Sequence, residues 1–268
     1  MMHLLKLYFI FMKAAFQDRL QDRFYFIINT TGTFVSYGAE FLMIWLIVDR
    51  FNAVGDWSAA EVMVLFALNL TSYAIAGFFF NHSTAALSEH INSGRLDQVL
   101  TKPQPVLYTL IVSAGSHIGY ISHIGLSFIV LVFALNNLGI SLISINIVHL
   151  IVSLIGAALI QGSILLISGT INFWAIQGGG TVFGLIWTLR DFVKYPLSIY
   201  PVGLQVLLTF VIPLGFISYY PAHSIIGRDD VIFSDILTTM TPVVGIIFFV
   251  IALGFWTIGL RHYKSTGS

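Results

Sequence analysis

Apolar residues gather in long runs along this chain, and the polar positions between the runs are short and irregular. A helix that crosses a bilayer core about 30 Å thick needs roughly 20 mostly apolar residues. Six runs approach that length: Phe24 to Val48, Ala60 to Asn81, Val106 to Leu135, Val148 to Trp174, Gly203 to Tyr219 and Pro242 to Leu260. The pattern predicts an all-α integral membrane protein with six transmembrane helices. Between the second and third runs lies the polar stretch "INSGRLDQVLTKPQP", Ile91 to Pro105. A second interruption, "IQGGGTVFGLIWTLRDFVKYPLSIYP", Ile176 to Pro201, carries three consecutive glycines, charges and two prolines. A short helix over Thr181 to Val193, lying along the membrane surface, is expected there.

Ahead of the first run, Leu4, Leu5, Tyr8, Met12, Ala15 and Phe16 recur at near-helical spacing with Lys6, Lys13 and Gln17 beside them. That arrangement suits an amphipathic helix in the membrane interface. Lys13 interrupts the apolar stretch and no small-residue cleavage site follows, so a removable signal peptide is not expected.

Composition agrees with a lipid solvent. Only 9% of residues are charged and 57% are hydrophobic, where an ordinary soluble domain has roughly 25% charged, and the mean hydropathy is +0.90. The net charge of zero gives no basic face for nucleic acid. With no cysteine, disulfide frameworks, thiolate metal sites and cysteine nucleophiles are closed.

Charge position says more than charge sum. Cytoplasmic loops collect Lys and Arg. With both termini inside, Lys6, Lys13, Arg19, Arg23, Arg95, Lys102, Arg190, Lys194, Arg261 and Lys264 fall inside, ten of the twelve, and Arg50 and Arg228 outside. This predicts a multi-pass protein of the cytoplasmic membrane with both ends cytoplasmic, and puts "INSGRLDQVLTKPQP" on the cytoplasmic side.

Two spans carry polar stripes. Asn29, Thr33, Ser36 and Glu40 are four, three and four apart, one face of a helix. Ser113, His117, Tyr120 and Ser127 form a second such face, with Gly115 and Gly119 on roughly the opposite side as a Gly-x-x-x-Gly pair suited to close helix packing. Asn29, Thr33, Ser36, Glu40, Ser113, His117 and Tyr120 are the candidate lining of a translocation path. A charged side chain near the middle of a span costs roughly 2.5 to 3.5 kcal/mol on insertion scales, so Glu40 needs a wet cavity, a partner or a proton. His117 and His123 are six apart with no further ligand at metal-site spacing, so no metal site is expected.

No catalytic, cofactor or metal motif stands out. "GLRHYKS", Gly259 to Ser265, ends in Lys-Ser but has Tyr263 where a phosphate loop needs glycine. His-Glu-x-x-His and Gly-x-Ser-x-Gly are absent from the sequence. No internal repeat supports the inverted-repeat plan of many secondary transporters.

"SGRLDQVLTKP", Ser93 to Pro103, resembles the loop after the second span in membrane permeases of type-2 ATP-binding cassette (ABC) exporters, in a branch with the pattern Gly-x-Leu-Asp-x-x-Leu-x-Lys-Pro. Gly94, Leu96, Asp97, Leu100, Lys102 and Pro103 carry the match. "KYPLSIYP" leading into "FVIPLGFISYYPA", Lys194 to Ala222, and "GLRHYKSTGS", Gly259 to Ser268, are similar to the same branch. The resemblance implies a type-2 ABC exporter-like permease that pairs with a second permease, identical or homologous, and with two copies of a separate ATPase. ATP and magnesium would be held by that ATPase and no cofactor by this chain.

By the same resemblance, Glu89 to Pro103 is the ATPase-coupling element, with Glu89, Gly94, Arg95, Leu96, Asp97, Leu100, Lys102 and Pro103 as its residues, Leu96 and Leu100 giving a small apolar ridge. One permease domain then covers 1–268: an interfacial helix to 23, a six-span bundle over 24–260 containing the cytoplasmic loop 82–105, and a cytoplasmic tail over 261–268. Short re-entrant helices are implied between Tyr219 and Pro242, where an ordinary external loop is the other reading. Two further functions stay open: a proton-coupled secondary transporter using Glu40, with His117 or His123 as relay, and a membrane enzyme or scaffold.

Overall fold

The computed structural model describes residues 23–51, 54–113, 119–141, 147–175 and 178–265, with the isolated positions 10, 13 and 17. The expected interfacial helix therefore lies largely outside the described residues, as do His117 and Gly115. The described residues form helices joined by turns and loops, with no strand beyond an isolated bridge from Val54 to Trp57.

Helix α1, Arg23–Phe51, is the first span and presents much of its apolar surface outward. Helix α2, Ala59–Ala85, is the axis of the bundle and is buried along most of its length. Ser58 sets its start. The Ser58 hydroxyl accepts from the Glu61 backbone N–H, and the Glu61 carboxylate accepts from the Ser58 N–H at 2.7 Å, a reciprocal cap that meets two of the helix's orphan donors. Then come α3, Leu87–Asn92, and α4, Arg95–Leu100, followed by α5, Val106–Ser113, and α6, Tyr120–Asn137. Helix α7, Ile147–Thr170, continues into a 3-10 turn at Ile171–Phe173; α8 is Gly178–Phe192 and α9 Val202–Val206. After a π-helical turn, α10 spans Tyr219–Ile226, and the last helix, α11, is Thr241–His262.

In lipid, helices associate by close packing and hydrogen bonds, because the acyl chains already solvate apolar side chains. Both devices hold α2. Gln161 of α7 donates to the Asn69 carbonyl at 3.0 Å and to the Ser72 hydroxyl at 2.7 Å, and Thr71 bonds Ser127 of α6 at 2.8 Å. Close packing joins α7 to α11, where a Cβ built on Gly245 would run into the Gly156 backbone. This glycine contact was not anticipated. Of the anticipated pair, Gly119 meets only the Asn29 side chain, at an ordinary 3.5 Å from a built Cβ.

Five helices are long and apolar enough to cross a membrane, and a pair bent by 71°, Val202–Val211 and Leu214–Ile226, is either a sixth, broken span or a re-entrant loop. The contacts of that pair correct the expected fifth span, Gly203 to Tyr219. Ile199, just before it, lies against Gly55. At its far side His223 packs on Trp57 at 5.0 Å, and Arg228 donates to the Asp56 carbonyl at 3.1 Å. Both ends of the pair therefore sit at the same end of the bundle, the start of α2, and the segment is a re-entrant hairpin. The chain crosses instead between Phe173, which packs on Tyr263, and Ile199. So α8 belongs to the fifth crossing and does not lie along the membrane surface. Arg190 and Lys194, counted above on the cytoplasmic side, stand inside the bundle.

Arg228 clasps the hairpin to α2. Its guanidinium bonds both Asp230 oxygens at 2.6 and 2.7 Å and Glu61 at 2.8 Å, and covers the Trp57 ring at 4.6 Å. These bonds hold the Asp230 carboxyl below the usual carboxylate range and raise the Arg228 guanidinium. Because the folded-state pKa of Asp230 is depressed, its contribution is fully present above the ordinary Asp value of about 3.9 and is lost as pH falls through the lower folded value. Paired spin labels at positions 54 and 231 should report a closed clasp at neutral pH that loosens only below about pH 4.

Candidate functional site

Near the middle of α2, the turn of α1 around Glu40 faces the end of α8 across a cleft of about 410 Å³. Ser36, Tyr37, Glu40, Asn69, Trp187, Arg190, Asp191 and Lys194 line it. Helical spacing accounts for the placement, since Trp187, Arg190, Asp191 and Lys194 stand at i, i+3, i+4 and i+7 and so share a face. Lys194 forms ion pairs with Glu40 and, at 2.6 Å, with Asp191. The cost of a carboxylate within the first span is thus offset by a lysine 154 residues away.

Arg190 is held differently. Its guanidinium lies 4.4 Å from the ring centroids of both Tyr73 and Trp187, a cation between two aromatic faces. Tyr73 leads on to Tyr120 at 5.9 Å and His123 at 6.1 Å, and His123 contacts Tyr37 at 4.7 Å.

The expected path lining is therefore divided. Ser36 and Glu40 reach the cleft, and Tyr120 is buried in the adjoining aromatic cluster. Thr33 turns back to the Asn29 carbonyl at 2.9 Å, Asn29 is exposed, and the Ser113 hydroxyl bonds the Thr109 carbonyl of its own helix at 2.8 Å. His117 lies outside the described residues. Tyr37, Asn69, Arg190, Asp191 and Lys194 were missed by the stripe; for Arg190, Asp191 and Lys194 the signal was the charged stretch "RDFVK" itself, read as surface. No group of three or more His, Cys, Asp or Glu suited to a metal occurs among the described residues.

The second region is the loop end of the bundle. Gly94 takes φ +68° between α3 and α4, a left-handed conformation that favours glycine. This turn lets the two six-residue helices fold back together. Leu96 is 0% exposed and packs with Leu87, Ile91, Leu110 and Trp256. Leu100 is 42% exposed. The expected ridge of Leu96 and Leu100 is therefore corrected: Leu96 holds the loop to the bundle, and Leu100 alone faces outward. Glu89, Arg95, Lys102 and Pro103 are exposed, with Arg95 paired to Glu89.

Asp97 ties the loop to the chain's end, accepting from the Tyr263 hydroxyl at 3.0 Å and from Ser265 at 2.7 Å. Partial burial and the Asp97 carboxylate beside it raise the Tyr263 pKa. Asp97→Ala should speed amide exchange at 263–265 about five-fold, as expected for a loss of about 1 kcal/mol, with exchange in α2 unchanged by hydrogen–deuterium mass spectrometry.

A family model described as ABC-2 family transporter protein matches residues 34–267. The chain belongs to that family. As an ABC-2 family transporter protein it is a multi-pass membrane component with a permease role. The match includes the whole loop from Glu89 to Pro103 and the charged cleft, while Asn29 and Thr33 precede it. No curated protein and no solved structure matches the chain.

Proposed function

We propose that this chain is the membrane-spanning permease of an ATP-driven export complex, forming the path and taking its energy from separate ATPase subunits. The family match over residues 34–267 carries the reading. The sequence has no phosphate-binding loop, so ATP and magnesium belong to the partner, present in two copies beside a second, identical or homologous permease. The α3–α4 loop is the coupling element, and the finer branch assignment rests on its Gly-x-Leu-Asp-x-x-Leu-x-Lys-Pro pattern. The whole chain is one permease domain, as set out from the sequence. Positive charge supports a cytoplasmic placement of the loop end. Among the described residues Arg95, Lys102, Arg261 and Lys264 lie at that end, against Arg50 and Arg228 at the other.

A proton-coupled transporter has no observation in its favour, because Glu40 is engaged in an ion pair with Lys194. Two measurements test the choice. An ATPase with an intact phosphate loop should co-purify with the chain, and transport into vesicles should persist when an ionophore collapses the proton gradient while ATP is kept constant. Transport that stops with the gradient and ignores ATP overturns the proposal.

A further inference from the structure

Every charge in the cleft except one is in contact with its opposite. Glu40 and Asp191 share Lys194. Arg190 is 5% exposed and faces the cleft, yet among the described residues it has no carboxylate within ion-pair distance, and its buried Nε has no hydrogen-bond partner. A second group there is equally unmet. Asn69, 1% exposed, keeps both its side-chain nitrogen and oxygen without partners, although its backbone carbonyl is bonded by Gln161.

Buried polar groups are ordinarily satisfied, and a buried cation with no anion beside it is costly. Two unmet groups lining one cavity mark a place for something absent from the chain itself. The fork of a guanidinium matches phosphate and carboxylate oxygens, and an amide donor beside it adds direction. Phe66, Leu70 and Trp187 supply apolar wall around them, and about 410 Å³ suits a small headgroup.

We propose that this cleft binds the acidic headgroup of an amphiphilic cargo, Arg190 taking the anionic oxygens and Asn69 donating a hydrogen bond. The proposal rests on the permease reading for the word cargo. An amphiphile is favoured over a free anion because the cleft lies near the middle of α2, beside lipid-facing Val35 and Met43 of α1. With two cations against two carboxylates, the site is neutral before the headgroup enters, which favours a singly charged acid.

The test is lipid retention by the purified full-length chain, read by native mass spectrometry with phosphatidylglycerol, phosphatidylcholine, diacylglycerol and inorganic phosphate as probes. Phosphatidylglycerol should be held at least ten-fold more tightly than the other two lipids, and phosphate should compete weakly. Arg190→Gln should erase that preference while the melting temperature holds or rises, because an unmet buried charge is removed. Arg190→Lys should keep part of the preference, and Asn69→Ala should weaken it several-fold.

Headgroup-independent retention overturns the proposal. So does a large drop in melting temperature for Arg190→Gln with the preference intact in Asn69→Ala, which would make the guanidinium a brace between Tyr73 and Trp187. If Arg190→Gln does not fold, Asn69→Ala decides. Inorganic phosphate bound as tightly as the lipid overturns the amphiphile. Failure to pair with an ATPase while Arg190-dependent retention persists would sink the permease reading and leave the headgroup site standing.

Discussion

Leu100→Asp should abolish ATP-driven transport while leaving membrane insertion and the melting temperature unchanged. Leu100 is the last residue of α4 and is 42% exposed, so a polar side chain there disturbs little of the chain's own packing. Against a partner ATPase the same change buries an unpaired carboxylate in an apolar contact, at about 3 kcal/mol on mutational scales. That corresponds to roughly a 100-fold loss of affinity. Co-purified ATPase and transport rate should fall together. Wild-type values for both would remove the coupling role from this loop. Leu96→Asp is the poorer experiment, although the sequence pattern treats the two leucines alike. Leu96 is fully buried among Leu87, Ile91 and Trp256, so its replacement would dismantle the loop and report on folding instead.

The difference between those leucines shows what the sequence could express. Positions four apart share a helix face, and that rule made Leu96 and Leu100 a ridge. It carries no information on what the face meets, and α4 is so short that its last residue tips out of the core. The same limit governs Glu40. Its place on a polar stripe was legible from periodicity, whereas Lys194 is 154 residues away and sits among charges that resemble a solvated surface. Once α8 is inside the bundle, those charges cancel one another, apart from Arg190.

The fifth crossing was misplaced for a related reason. A hairpin that enters lipid from one side must be as apolar as a helix that crosses, because neither has water to satisfy exposed backbone. Length and hydropathy therefore give Gly203–Tyr219 the same signature as a span. What separates the two is where the ends dock. Ile199 lies at Gly55 and His223 at Trp57, contacts made across more than a hundred residues of chain. The first, fourth and last spans have no such competitor and follow their hydrophobic runs closely, whereas the second continues to Asn92 and the third is Tyr120–Asn137, with Val106–Ser113 a separate helix before it.

Gly156→Leu should have the largest effect on the fold itself. A Cβ at Gly156 would lie 2.6 Å from the Thr241 carbonyl oxygen and 2.7 Å from Pro242 Cα, backbone atoms that cannot rotate away. Facing it, Gly245 approaches the Gly156 backbone so closely that neither position admits a side chain while the helices stay in contact. Overpacking in a core typically costs about 1–3 kcal/mol, and a four-carbon side chain between two backbones belongs at or beyond the top of that range. Since helices in lipid are joined by this kind of contact, α7 and α11 should separate, and the bond from Thr241 to the Phe216 carbonyl, 3.3 Å long, should break with them. The re-entrant hairpin then loses one of its anchors. The expected result is a melting temperature at least 10 °C lower, or aggregation on size exclusion. Gly254→Leu on the same helix is the matched comparison, because nothing lies within 4 Å of a Cβ built there, and it should melt like the wild type. Equal melting of the Gly156 and Gly254 variants would show that the α7–α11 contact does not hold the bundle together.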